Sequence, residues 1–122
     1  LALPESYYAG LRREYAARRD ILLPALSGAG FSFRRPEGAY YVMADFSGIR
    51  WPRPRDGSAA ADRAFAEFLA VQIGVAVVPG GSFYEDGADG ARYVRFNFAK
   101  EAATLREAAS RLARLTTGES RR

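Results

Sequence analysis

The run ARYVRFNF (91–98) alternates with a period of two: Val94, Phe96 and Phe98 fall on one side, Tyr93, Arg95 and Asn97 on the other. Successive side chains of a strand point to opposite faces, so this segment reads as a strand with one face for a core and one polar face. Arg92, by the same alternation, belongs on the side away from Arg95. The apolar face demands a covering layer. A chain of 122 residues has room for one domain with its own core.

The remaining segments supply that layer. Residues 4–27 read as one long helix with Tyr8, Leu11, Tyr15, Leu22 and Leu26 on a single stripe. Pro4 suits its first turn, and Glu14 can pair with Arg18. Gly28 with Gly30 is expected to end the helix, and Pro24 to kink or shorten its last turn. Two strands follow, FSFRR (31–35) and AYYVMADF (39–46), joined by the turn PEG (36–38). In the second, Tyr40, Val42, Ala44 and Phe46 share one face and Ala39, Tyr41 and Met43 the other. Both faces are largely apolar, which places this strand inside a sheet.

A proline-punctuated loop (47–58) leads to a helix over 59–73 that carries Ala61, Phe65, Phe68, Leu69 and Ile73 on one stripe. Ser58 is its candidate N-cap and Gly74 its stop. VAVV (75–78) is a short strand, PGGSFYEDGADG (79–90) a loop, and a last helix over 101–116 buries Leu105, Ala109 and Leu112. The order helix–strand–strand–helix–strand–strand–helix predicts an α+β fold, a small mixed or antiparallel sheet covered by helices.

The chain has no cysteine and no histidine, which removes disulfides, thiolate or imidazole metal ligation and serine–histidine triads from its chemistry. No metal site is expected. A cysteine-free chain is compatible with the reducing cytoplasm, its expected location. No apolar run reaches the roughly 18–20 residues of a membrane-spanning helix, so no membrane partner is expected. The opening LALPESYY reads as the interior of a longer protein.

The net charge of +4 comes with acidic residues spread among the arginines, so no basic stripe marks a nucleic-acid partner. WPRPR (51–55) interleaves an aromatic with arginines, but its prolines make it a polyproline-like surface loop with Trp51 as anchor. PGG (79–81) lacks the following G-K-[ST] and helix of a phosphate cradle. Glu85, Asp86 and Asp89 are turn residues before they are cation ligands.

Two cations remain as chemical candidates. Arg95 sits mid-strand, a rigid mount for a planar fork that matches a carboxylate with two parallel hydrogen bonds. By pattern alone a solvated strand arginine is the commoner case. Lys100, the single lysine, follows the strand beside Glu101. Schiff-base chemistry would need its amine buried, and nothing around it supplies burial.

Four pieces, in order, resemble the C-terminal small domain of fold-type I, pyridoxal-phosphate-dependent class I/II aminotransferases: PEGAYYVMADFS (36–47), GVAVVPGGSFY (74–84), YVRFNFAK (93–100) and EAATLREAASRL (101–112). The flavour is closest to the branch of kynurenine–oxoglutarate and methionine aminotransferases. The resemblance implies that residues 1–30 link to a large domain, 31–116 form the small domain and 117–122 a tail. It implies that Arg95 binds the substrate's α-carboxylate. Tyr40 would lie near that arginine, although a core tyrosine is an equal reading. The family's P-G-S-x-F turn corresponds to PGGSF, with Gly81 where a serine is frequent. The cofactor, pyridoxal 5'-phosphate, would be held by the large domain, with no catalytic or cofactor-binding residue in this chain. Amino acid and 2-oxo acid substrates and a homodimeric enzyme are implied in turn. A carbon–sulfur lyase small domain, or the effector-binding half of a transcription regulator, are the alternative readings.

Overall fold

The computed structural model describes residues 3–36, 39–53, 61–84 and 90–117. Helix α1 (Glu5–Ala29) is followed by β1 (Ser32–Phe33) and β2 (Tyr41–Asp45). Helix α2 (Ala61–Phe68) runs on as a π-helical turn (Leu69–Ile73), and β3 (Val78–Pro79) leads into a 3-10 turn (Gly80–Phe83). Strand β4 (Tyr93–Asn97), α3 (Ala102–Leu112) and the short α4 (Arg114–Thr117) complete the order. The strands form an antiparallel sheet in the order β1-β2-β4-β3, with β2 inside it as its two apolar faces require.

Alternation along β4 is borne out: Val94, Phe96 and Phe98 are buried. They meet Val42, Ala44 and Phe46 of the β2 segment, Leu22, Leu23 and Leu26 of α1, and Leu105 and Leu112 of α3 in one core. The centre of that core is aromatic. Phe46 and Phe65 stack with ring centres 4.2 Å apart and planes 6° from parallel. Trp51 closes on both Phe65 and Phe68, so the residue that opens WPRPR anchors its loop from inside and is not available to stack on a nucleic acid base. Ser58 lies outside the described residues.

Helix ends depart from the sequence reading in instructive ways. Pro24 neither ends nor shortens α1: its ring faces solvent while Leu22, Leu23 and Leu26 around it are buried, so packing holds the helix past the missing hydrogen bond. Gly28 stays helical, and the stop is Gly30 alone, at φ 108°. Its N–H bonds to the Ser27 carbonyl while the Phe31 N–H reaches back to Leu26, and both Phe31 and Leu26 are buried. This is a Schellman closure with its apolar contact. At the other glycine stop, Gly74 adopts φ 87° and its N–H bonds to the Leu69 carbonyl five residues back, which closes the π turn. Arg111 and Arg114 donate to the carbonyls of Gly74 and Ile73, cations placed on the negative end of that helix.

The stripe of α1 is buried only in its C-terminal half; Tyr8 and Leu11 are exposed. The expected strand 75–78 shrinks to Val78–Pro79, and the Val75 N–H bonds instead to the Leu69 carbonyl at the π turn. Ala109 is half-buried, and Leu115 joins Leu105 and Leu112 in the core.

Burial sets a contrast that denaturant unfolding can measure. Phe65→Ala should cost about 3–5 kcal/mol, because it opens a cavity among four aromatic rings. Tyr7→Ala, on the exposed half of α1, should change stability by less than about 0.5 kcal/mol. Equal losses at the two positions would contradict the packing described.

Candidate functional site

The sheet face opposite the core carries Tyr41, Met43 and Asp45 from β2 and Tyr93, Arg95 and Asn97 from β4. Tyr41 and Asn97 are exposed on it, and Met43, Asp45, Tyr93 and Arg95 half-buried. Register places Arg95 between Met43 on one neighbouring strand and Val78 on the other. Its guanidinium carbon lies 4.5 Å from the centre of the Tyr41 ring and 4.2 Å from that of Phe83. Tyr41 comes from β2 and Phe83 from the turn after β3, so the two rings approach from opposite flanks of β4. Arg95 itself is half-buried, and among the described residues no carboxylate pairs with it. A cation against aromatic faces is stabilised without using its N–H donors, which stay available in the guanidinium plane.

Phe83 reaches Arg95 because the turn beneath it is pinned. Pro79 starts the turn, and a Cβ on Gly80 would stand 2.5 Å from the carbonyl oxygens of Gly90 and Tyr93, so only glycine lets the backbones meet. Gly81, where a serine is frequent in the family's turn, contributes its backbone: its N–H donates to the Asp62 carboxylate at 2.7 Å. Asp62 is buried, 3% exposed, in the first turn of α2. The sequence reading passed over Tyr41, Phe83 and Asp62. Strand pairing brings Tyr41, and the turn after β3 brings Phe83, to the arginine, while Asp62 holds that turn from α2.

Two expectations need correction. Tyr40 is not brought to Arg95: it lies toward the helix layer, with its ring 5.1 Å from Tyr15 and 5.6 Å from Phe98. Arg92 does not follow strand alternation, since it stands in the turn before β4. Its side chain folds over the Tyr93 ring and pairs with Asp45 at 3.3 Å, at the far end of the arginine's own face. The Tyr93 hydroxyl, then Asp45, raise the pKa of this exposed guanidinium. Asn97 turns its carboxamide oxygen to the Ala99 N–H. The acids at 85, 86 and 89 lie outside the described residues, and among those described no cluster of potential ligands could hold a metal. No described helix is long and apolar enough to cross a membrane.

The fold is an α+β domain with Arg95 flanked by two rings on the sheet face opposite the core. The family follows from comparison: the aminotransferase class I and II model matches residues 2–112, and the chain belongs to that family. It is 38% identical over 104 residues to the aspartate/prephenate aminotransferase of Thermus thermophilus, covering 85% of this chain and 23% of that protein. It is 31% identical over 121 residues to the kynurenine–oxoglutarate transaminase of Dictyostelium discoideum, covering 91% of this chain and 28% of the relative. Among solved structures, the aspartate aminotransferase of Rhizobium meliloti superposes with a TM-score of 0.75 at 27% identity, over 94% of this chain and 28% of that one. The chain thus spans about a quarter of the length of these relatives.

The family implies pyridoxal phosphate as cofactor. An aldehyde cofactor needs a lysine desolvated enough to shed its proton. Lys100 is exposed beyond the end of β4, beside a groove lined by Gly74, Thr104 and Ala108 on the helix side. Lys100, the single lysine of the chain, does not offer the desolvated amine such a cofactor requires.

The buried hydrogen bond beneath Phe83 has a measurable cost of removal. Asp62→Ala leaves the Gly81 N–H without its acceptor and should lower stability by about 1–3 kcal/mol, with Asp62→Asn recovering most of the loss. An unchanged denaturation midpoint for Asp62→Ala would show that the bond contributes nothing.

Proposed function

We propose that this chain is the small domain of an amino-acid aminotransferase and that Arg95 binds the α-carboxylate of the amino acid and 2-oxo acid substrates. The observation that carries the reading is the Arg95 guanidinium, mounted mid-strand between two rings with no carboxylate partner among the described residues. A planar carboxylate can take two parallel N–H bonds from such a fork and neutralise its charge. That fixes the Cα end of the substrate while leaving the side chain free, which suits an enzyme that must accept two different amino acids in turn. Pyridoxal phosphate supplies the electron sink when bound. Its lysine and phosphate ligands belong to a large domain outside residues 1–122, with α1 as the connecting element and residues 31–116 as the small domain proper.

Removing one member of a desolvated charge pair costs on the order of 2–5 kcal/mol. Arg95→Ala in the intact enzyme should therefore slow turnover of amino acids by roughly 30- to several-thousand-fold. Arg95→Lys should restore only part, since an ammonium cannot make the two-pronged contact. Amines without an α-carboxylate should lose far less. Arg92→Ala, which removes a cation already paired with Asp45, should have a small effect on both. Equal losses for amino acids and amines in Arg95→Ala would refute the assignment.

A second outcome concerns the chain by itself. Pyridoxal phosphate added to it and reduced with borohydride should leave no stoichiometric adduct on Lys100. Such an adduct, read by peptide mass, would place the cofactor within this chain.

A further inference from the structure

We infer that Tyr41 and Phe83 are positioning residues for Arg95, two aromatic jaws that set the direction in which its N–H donors meet the substrate carboxylate; the inference rests on the reading of Arg95 given above. Arginine has four rotatable side-chain bonds, and a half-exposed one on an open sheet face would sample many rotamers. Binding an anion would then cost the entropy of selecting one. Here Tyr41 from β2 and Phe83 from the turn after β3 lie 4.5 and 4.2 Å from the guanidinium carbon. Rings this close on two flanks restrict the directions open to the guanidinium and its donors, and a carboxylate must lie in the guanidinium plane to accept two of them. They also displace water beside the cation, and a charge pair gains strength as its surroundings lose polarity.

Neither ring is held in place as part of the core. Tyr41 is 47% exposed and Phe83 41% exposed, although each is a large aromatic that burial would stabilise. The two jaws are held differently. Tyr41 is fixed by a regular strand, directly opposite Asn97 and diagonal to Arg95. Phe83 is fixed by a short turn whose backbone is pressed against Gly90 and tied to the buried Asp62. The outcome of that anchoring is a ring placed against the arginine.

The test uses the intact enzyme and compares amino acids with amines that lack an α-carboxylate. A cation–aromatic contact of ordinary strength corresponds to a loss of about 3- to 30-fold, so Phe83→Leu and Tyr41→Leu should each lower kcat/KM for amino acids by that factor, mostly through KM. Turnover of the amines should stay unchanged, and Tyr41→Phe and Phe83→Tyr, which keep a ring, should behave as wild type. Because the rings act through the arginine, adding either leucine substitution to Arg95→Ala should produce no further loss. Should Phe83→Leu fail to fold, Tyr41→Leu, on the other flank, decides the same question. If Arg95→Ala slows amino acids selectively while the ring variants are silent, or if their losses add to that of Arg95→Ala, the jaws are not positioning residues. If Arg95→Ala itself shows no selectivity for amino acids, the carboxylate reading fails and the jaws fall with it.

Discussion

Phe96 projects from β4 into the helix layer, its ring 5.2 Å from that of Phe31, while the next peptide unit back turns Arg95 to the open side. The two residues share a peptide bond, and a slip of one residue in register would exchange them. Burial of Val94, Phe96 and Phe98 therefore does more than stabilise the sheet. It fixes the face to which the arginine points. The pairing of Met43 and Val78 with Arg95 then brings the two flanking rings into reach. The orientation of a charged side chain is here enforced by hydrophobic burial one residue away.

What sequence could and could not show follows the same physics. Alternation in β4 reports local burial and was legible, and the apolar character of β2 gave its place inside the sheet, although only its Val42–Ala44 face is buried. Glycine stops were legible in kind, but choosing Gly30 over Gly28 needed the Phe31–Leu26 closure, a contact that only forms once the core exists. Pro24 was misleading for a related reason: propensity is a local preference, and three buried leucines around it outweigh that preference. Arg92 failed because alternation holds only while the backbone is extended, and Arg92 precedes the strand.

The site itself was half legible. Arg95 stands out as a cation within a strand, but Phe83 is separated from it by a loop, and nothing in PGGSF says where that phenylalanine points. Asp62 looks like an ordinary acid in the first turn of a helix, favourable to the helix dipole. Its bond to the Gly81 N–H becomes visible only when α2 lies beside the β3 turn. Tyr40 shows the converse. It is next in sequence to Tyr41, yet the pleat sends it to Tyr15 and Phe98 on the far side of the sheet.

The bond from Asp62 to Gly81 has a mechanical meaning as well. Helix α2 stacks Phe65 on Phe46, which continues the strand β2 that carries Tyr41; the same helix holds the turn that carries Phe83. Arg111 and Arg114 fasten the end of its π turn to α3 and α4. The arginine and both rings are thus mounted on one frame. Any motion of that frame as a rigid unit would carry all three together and leave their mutual distances unchanged.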